Sequence, residues 1–416
     1  MKKLSVPLLF TCILLLLMVA CSPSRTATGP ATKEPYKVGF SGAMTGPGAA
    51  GQLESKEGFR IYIETLNAKG GIDGHPIQVV YEDDRAEGIK AVSNVKKFEG
   101  LGVHLIAVDS LSSVYAGVIG EVERINIPLV TYGVGLTQAR PPQPHRLGFS
   151  VGHVGLPDMP PIADIKMTKT LAAGKPFKMA VLVADLPLAR LSGVMMVNKG
   201  KEDGFDVLME VAPMSTTDLT PIARKFIDAK VNYITYYGPG HLMLMLGDAL
   251  LKLGYKDTFF VQVGGGSFET ALVEKWNGVE NFIGASVQTS PTVLNLPEHQ
   301  PIKEAASKYG AAVSVDHKVV DGWLNGMVTA EIFKRAGWPV TTDKLLKVMN
   351  DFKMERAPLG PPLRWTATDH IGDRWFGFYA WRGGKIVPVV KENIVGVNTS
   401  YEILGAVSSF KDIKVK

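Results

Sequence analysis

The sequence predicts an α/β protein built as two lobes, each a doubly wound parallel sheet. Three observations carry that prediction. From residue 36 onward, short apolar strands alternate with single amphipathic helices, the pattern of βαβ units whose sheets are covered on both faces. A stretch rich in proline and glycine at residues 140–161 interrupts the alternation, which then restarts. The chain also has 416 residues, too many for one ordinary core.

Residues 36–40 read as the first strand. Residues 52–66 follow as a helix, with Phe59, Tyr62, Ile63 and Leu66 on one face at helical spacing and Gly70-Gly71 as its stop. Strands at 77–81, 103–108 and 127–132 then alternate with helices at 89–98 and 112–124. Beyond the break come strands at 178–184, 205–211, 231–237, 258–263 and 281–287. Helices near 191–201, 219–229, 241–253 and 268–276 connect them. There the alternation ends. Residues 302–309, 317–336 and 342–352 read as helices, and 375–381 with 385–390 as a hairpin around Gly383-Gly384.

The opening residues set the compartment. Lys2 and Lys3 precede an almost wholly apolar run over residues 4–20, and Val19-Ala20 stand before Cys21. A charged start, an apolar centre and small residues before a cleavage point describe a secretory signal. With Pro7 inside it, the run sits at the short edge of what spans a bilayer. Leu17-Met18-Val19-Ala20-Cys21 resembles a bacterial lipobox, with Met18 in place of the usual Leu, and so implies a diacylated Cys21. Residues 22–35 have the composition of a flexible tether. Of the two cysteines, Cys12 lies in the segment to be removed, which leaves no intramolecular disulfide.

Without Lys2 and Lys3 the formal net charge falls from +5 to +3, and the charges are scattered. Nucleic-acid binding therefore has no electrostatic support. The histidines are dispersed, with no H-E-x-x-H and no spare Cys, so neither a metal nor another cofactor is expected. A hydrolase lacks its G-x-S-x-G elbow, and Gly264-Gly265-Gly266-Ser267 does not supply the frame. Gly46-Pro47-Gly48-Ala49-Ala50-Gly51 spells G-x-G-x-x-G, which keeps a dinucleotide enzyme as a rival. Residues 41–45 separate it from the strand, however, and Asp83-Asp84 lie beyond the spacing of about twenty residues that the fingerprint needs. Export also removes the chain from the nicotinamide pool. The loop reads better as a cleft rim, and Asp83-Asp84 as the start of a turn rather than a catalytic pair.

Several words of sequence carry a resemblance. They are Gly42-Ala43-Met44-Thr45-Gly46-Pro47, then Gly51 and Gly58, then Asn67-Ala68-Lys69-Gly70-Gly71-Ile72-Asp73-Gly74, then Tyr81-Glu82-Asp83-Asp84. Ile127-Pro128-Leu129-Val130-Thr131, Pro362-Leu363-Arg364-Trp365 and Asp369-His370-Ile371-Gly372 continue the series. In this order and spacing the chain resembles the leucine/isoleucine/valine-binding family of type I periplasmic binding proteins. The resemblance spans nearly the whole mature chain and is weaker in the second lobe.

That resemblance implies two lobes joined by a three-strand hinge, with crossings near residues 150–153, 285–287 and 376–378. It divides the chain into a signal peptide at 1–20, a lipidated tether at 21–35, a first lobe of 36–150 with 288–375, and a second lobe of 151–287 with 376–400. Residues 401–416 are left as a C-terminal extension. Together with the lipobox it implies a lipid-anchored, monomeric protein of the bacterial cell envelope, in the periplasm or on the outer face of the membrane. Such a protein captures a small ligand by closing its lobes and delivers it to an ABC permease, with no catalytic residue. A ligand-sensing receptor component of the same fold is the alternative.

Ligands of open parallel sheets bind outside the carboxyl ends of the strands. Ser112 and Ser113 begin a helix just after such an end, and their hydroxyls with the free N–H groups of the helix start suit one carboxylate. From the residues alone, one of them serving only as a helix cap is an equal reading. The family resemblance implies the carboxylate. Tyr132-Gly133-Val134-Gly135 would offer backbone groups to the ligand, though Gly135 lacks the hydroxyl of the Thr that the family often carries there. In the second lobe Tyr237 would form an apolar wall, or pack within its strand. The acid that meets an amino group in amino-acid-binding members is expected near Gln262-Val263-Gly264, where none stands and Glu269 is the nearest. An ammonium buried without a partner costs several kcal/mol, on the order of that for any isolated charge. The expected ligand is therefore a small carboxylate, an amide or an amino-acid-like molecule, and not necessarily an α-amino acid.

Overall fold

The structure, a computed structural model, describes residues 33–46, 49–132, 136–152, 159–172, 174–238, 240–255, 259–262, 282–286, 291, 296–356, 358–372, 375–382, 385–388 and 400–402. The signal, Cys21 and most of the tether, the helix expected at 268–276 with Glu269, and Gly383-Gly384 lie outside them.

The first sheet contains β1 (Tyr36–Gly42), β2 (Ile77–Asp83), β3 (Leu105–Asp109), β4 (Leu129–Thr131) and β5 (Gly148–Ser150). All are parallel, in the order β2-β1-β3-β4-β5. Every residue of β3 is buried, as a strand covered on both faces requires. Helices α1 (Ala49–Ala68), α2 (Gly88–Gly100) and α3 (Ser112–Ile125) connect the strands. On α1, Phe59 and Ile63 enter the core while Tyr62 and Leu66 pack against it. Gly70 and Gly71 end the α1 turn with φ of 100° and 71°, conformations that only glycine adopts freely.

The second unit begins with α4 (Met159–Ala172) and continues through β6 (Met179–Ala184), α5 (Pro187–Glu202), β7 (Val207–Ala212), α6 (Thr220–Asp228), β8 (Tyr233–Tyr237), α7 (Gly240–Lys252), β9 (Phe259–Gln262) and β10 (Phe282–Ser286). β6 to β10 are parallel and carry their own core. Helix α4 overlaps the stretch expected to form neither element. Pro160 and Pro161 occupy its first turn, where a missing N–H costs nothing. β5 lies inside that same stretch.

Helices α8 (Gln300–Lys308), α9 (His317–Ala336) and α10 (Thr342–Met349), with the short ladder of β11 (Lys353–Met354) and β12 (Leu363–Arg364), form layers on the first unit. α1 and α9 touch through glycines. A Cβ on Gly58 would stand 2.0 Å from the Val319 carbonyl oxygen, and one on Gly322 1.8 Å from that of Ser55. Finally β13 (Trp375–Arg382) pairs antiparallel with β10, with β14 (Lys385–Pro388) and with β15 (Ser400–Glu402). β15 thus adds to the second sheet and reaches past residue 400. That sheet runs β14-β13-β10-β9-β8-β6-β7.

Two of the segments expected to cross, 285–287 and 376–378, pair with one another, and the third pairs outside them. Ala285 lies opposite Phe378 in the β10–β13 ladder, and Ser150 bridges Ile371. Ser150 is fully engaged. Its N–H donates to the His370 carbonyl at 2.9 Å, and its own carbonyl accepts Gly372 N–H and Trp365 Nε1–H, each at 2.8 Å. Its hydroxyl donates to the Gly152 carbonyl and accepts from Thr131 Oγ1 and from Leu136 N–H.

Candidate functional site

The carboxyl ends of β1, β2 and β3 bring together residues distant in sequence. Asp83 Oδ1 accepts the N–H groups of Met44, Thr45 and Arg85 at 2.9, 3.3 and 2.9 Å, and its Oδ2 accepts the Thr45 hydroxyl at 2.5 Å. Partial burial works to raise the Asp83 pKa, but the hydrogen bonds from Thr45, Arg85 and Met44 outweigh it and hold the acid below the usual range. Asp84 is buried and accepts Ser41 Oγ at 2.9 Å, Ser110 Oγ at 2.7 Å and Ala86 N–H at 2.9 Å. Burial raises its pKa against those bonds. The pair therefore pins the two loops of this edge, and Arg85 and Ala86 take left-handed φ of 52° and 59° between them. A turn-starting role fits this geometry.

Asp109, the last residue of β3, is wholly buried. Its carboxyl takes a hydrogen bond from Ser55 of α1, while Oδ2 has no partner. Burial pushes its pKa up to about 6, against the pull of the Ser55 hydrogen bond and the Lys318 charge. Nothing in the sequence pointed to Asp109 or Lys318, because α1, β3 and α9 meet only in three dimensions.

Ser112 and Ser113 are the first two residues of α3, and Leu111 takes the cap position without a side-chain cap bond. Leu111 thus offers the Ser112 and Ser113 N–H groups at the strand edge no side-chain acceptor, while Val114 N–H donates to the Leu111 carbonyl at 3.0 Å; the Ser112 and Ser113 side chains lie outside the described ones. Tyr132 follows β4, but its N–H donates to the Val108 carbonyl at 2.9 Å and is not available to a ligand. Its ring packs on Phe59 and its hydroxyl bonds Thr329 of α9. Burial and the nearby Asp109 push the phenol pKa well up, with the Thr329 bond opposing. Gly133, Val134 and Gly135 lie outside the described residues.

In the second unit, Tyr237 ends β8 and is 5% exposed. Its hydroxyl donates to Asp164 Oδ2 at 2.9 Å, and the Thr235 hydroxyl donates to the same oxygen. Asp164 belongs to α4, was not singled out in the sequence, and is wholly buried with Oδ1 unpartnered. Burial raises its pKa well above the ordinary carboxylate value, with the two hydroxyl bonds opposing. Tyr236 is buried on the opposite face of the same strand. Asp185, which follows β6, is tied to Arg190 at 2.5 Å on the surface. Gln262 ends β9, level with Gly284 of β10, and its side chain lies outside the described ones.

Among the described residues, no cluster of His, Cys, Asp and Glu could hold a metal ion, and no helix is long and apolar enough to cross a membrane.

A family model described as periplasmic binding protein matches residues 35–385. The Leu/Ile/Val-binding protein homolog 2 of Brucella abortus is 34% identical over 86 residues, which are 21% of this chain and 23% of that protein. The match therefore spans about a quarter of that relative's length. Among solved structures, the fatty acid ABC transporter substrate-binding protein from Thermomonospora curvata superposes with a TM-score of 0.74 at 18% identity, covering 92% of this chain and 95% of that one. An ABC transporter solute-binding protein from R. palustris in complex with 4-hydroxybenzoate gives 0.69 at 16% identity, covering 89% and 98%. At these identities the superpositions show a shared fold.

Proposed function

The chain belongs to the periplasmic binding protein family, and from that premise we propose that it captures a small organic acid for an ABC-type uptake system. The observation that carries the reading is the asymmetry of the two strand edges. The first lobe offers the open N-terminus of α3, suited to a carboxylate. In the second lobe the described carboxylates near the strand ends are already engaged: Asp164 by two hydroxyls beneath the surface, Asp185 by Arg190. Of these, Asp164 is wholly buried and Asp185 already holds a cation, so neither is placed to receive a ligand ammonium, and a bare buried charge is costly. Tyr237, with its hydroxyl turned inward, leaves only its ring for the ligand side.

The ligand is accordingly an acid with an apolar body. The structural relatives whose names mention a fatty acid and 4-hydroxybenzoate agree with this chemistry. The role is binding and release, with ligand contacts to both lobes favouring the closed form. Cys21 carries the lipid that keeps the protein at the membrane. A calorimetric panel of fatty acids, benzoate, 4-hydroxybenzoate and isoleucine tests the proposal. Acids without an amino group are expected to bind. Tight binding of isoleucine with no response to the acids would overturn it.

A further inference from the structure

The carboxyl edge of the first sheet also holds a cation. Lys318 is the second residue of α9, and its backbone N–H donates to the capping Asp316 carboxylate at 2.8 Å. Its stem runs past the start of α1, where a Cβ on Gly51 would stand 3.6 Å from Lys318 Cε. The side chain is half-buried. Among the described residues, no acceptor lies within hydrogen-bond or ion-pair distance of its ammonium. The ammonium keeps contact with solvent, so its three donors are open to water or to a ligand.

The acid whose field Lys318 shares is Asp109, and the two are not joined. Asp109 spends its hydrogen bonding on Ser55 and keeps Oδ2 unpartnered. Asp84, the other buried acid of this edge, is taken by Ser41, Ser110 and Ala86. Asp316 serves as the helix cap. The neighbouring His317 is buried, which lowers its pKa to about 4 and keeps the ring neutral, so it adds no charge. The Lys318 donors therefore remain available on an edge where α3 begins three residues after Asp109.

We infer that Lys318 is a ligand-contacting residue of the first lobe, its ammonium receiving the carboxylate of the bound acid beside the start of α3. Asp109 holds the ammonium at the edge by attraction across a gap, without consuming its donors. A charged donor of this kind discriminates an acid from its neutral amide far better than helix N–H groups alone. The inference rests on the organic-acid reading above and adds the residue that selects for charge.

The test pairs each acid of the panel (straight-chain fatty acids, benzoate and 4-hydroxybenzoate) with its primary amide in titration calorimetry. The wild-type protein is expected to prefer the acid. In Lys318→Met, which keeps an apolar stem, that preference should fall by about ten- to a hundredfold, and Lys318→Arg should retain most of it. Lys318→Gln gives the same reading should the Met variant fold poorly, with melting temperature checked for each. Equal acid preference in the wild-type, Met and Gln proteins would overturn the role of Lys318 and leave the organic-acid reading standing. A wild-type protein that binds none of the acids would overturn both.

Discussion

Replacing Gly322 by Ala sets two effects of opposite sign against each other. Helix propensity alone favours Ala over Gly by about 1 kcal/mol inside a helix. Against it stands the α1–α9 contact, where the added Cβ would lie 1.8 Å from Ser55 O, 2.7 Å from Ser55 C and 2.8 Å from Phe59 N. All three are backbone atoms, so no side chain can rotate away. To restore a carbon–oxygen contact of about 3.3 Å the helices must part by roughly 1.5 Å. Gaps of about 0.5–1 Å already forfeit a quarter to a half of each dispersion contact. Overpacking of this order costs about 1–3 kcal/mol where side chains can yield, and the rigid partner places Gly322 at the upper end. The net expectation is a loss of about 2 kcal/mol, read as a lower urea midpoint at constant slope. Gly120 of α3 supplies the control, since nothing lies within 4 Å of its Cβ position. Gly120→Ala should stabilise by up to about 1 kcal/mol. If Gly322→Ala also stabilises, the close helix contact does not exist and the argument fails.

Two further outcomes follow from the structure. The folded pKa of Asp164 lies above its unfolded value of about 3.9, so the stability it contributes is fully present below about pH 4 and is lost as pH rises through the folded value. Melting temperature followed from pH 4 to 8 should therefore decline less steeply in Asp164→Asn than in the wild-type protein; parallel curves would show that Asp164 does not titrate as its burial implies. Lipidation at Cys21 predicts that the exported protein partitions with membranes and that Cys21→Ser releases it to the soluble fraction. Equal partitioning of both forms would exclude that anchor.

Much of the architecture was legible because alternation of apolar strands and amphipathic helices reports a local requirement, burial on both sheet faces. The face of α1 defined by Phe59 and Ile63 is an example. Helix α4 was not legible, since Pro160-Pro161 signals a break in the chain and also permits the start of a helix. The start of α3 at Ser112 could be read from the strand before it. Lys318 and Asp109 could not, because half the chain separates them and neither belongs to a motif. Tyr237 is legible as the end of a strand, and it ends β8. That its hydroxyl is spent on Asp164 depends on a helix whose existence the sequence concealed.

β1 enters the first sheet at Tyr36, on the side opposite the strand ends where Asp109 and Ser112 lie. A lipid held at Cys21 would therefore attach the molecule by its far side, with the ligand edge pointing away from the point of attachment. The leash between Cys21 and Tyr36 reaches at most about 50 Å when extended, whereas the seven residues of β1 cover only about 23 Å. With an anchor at Cys21, a leash of that reach, more than twice the depth of the strand, would let the molecule roll over and turn this edge to the membrane. A severely shortened leash would moor the protein yet hold this edge away from any partner in the same bilayer.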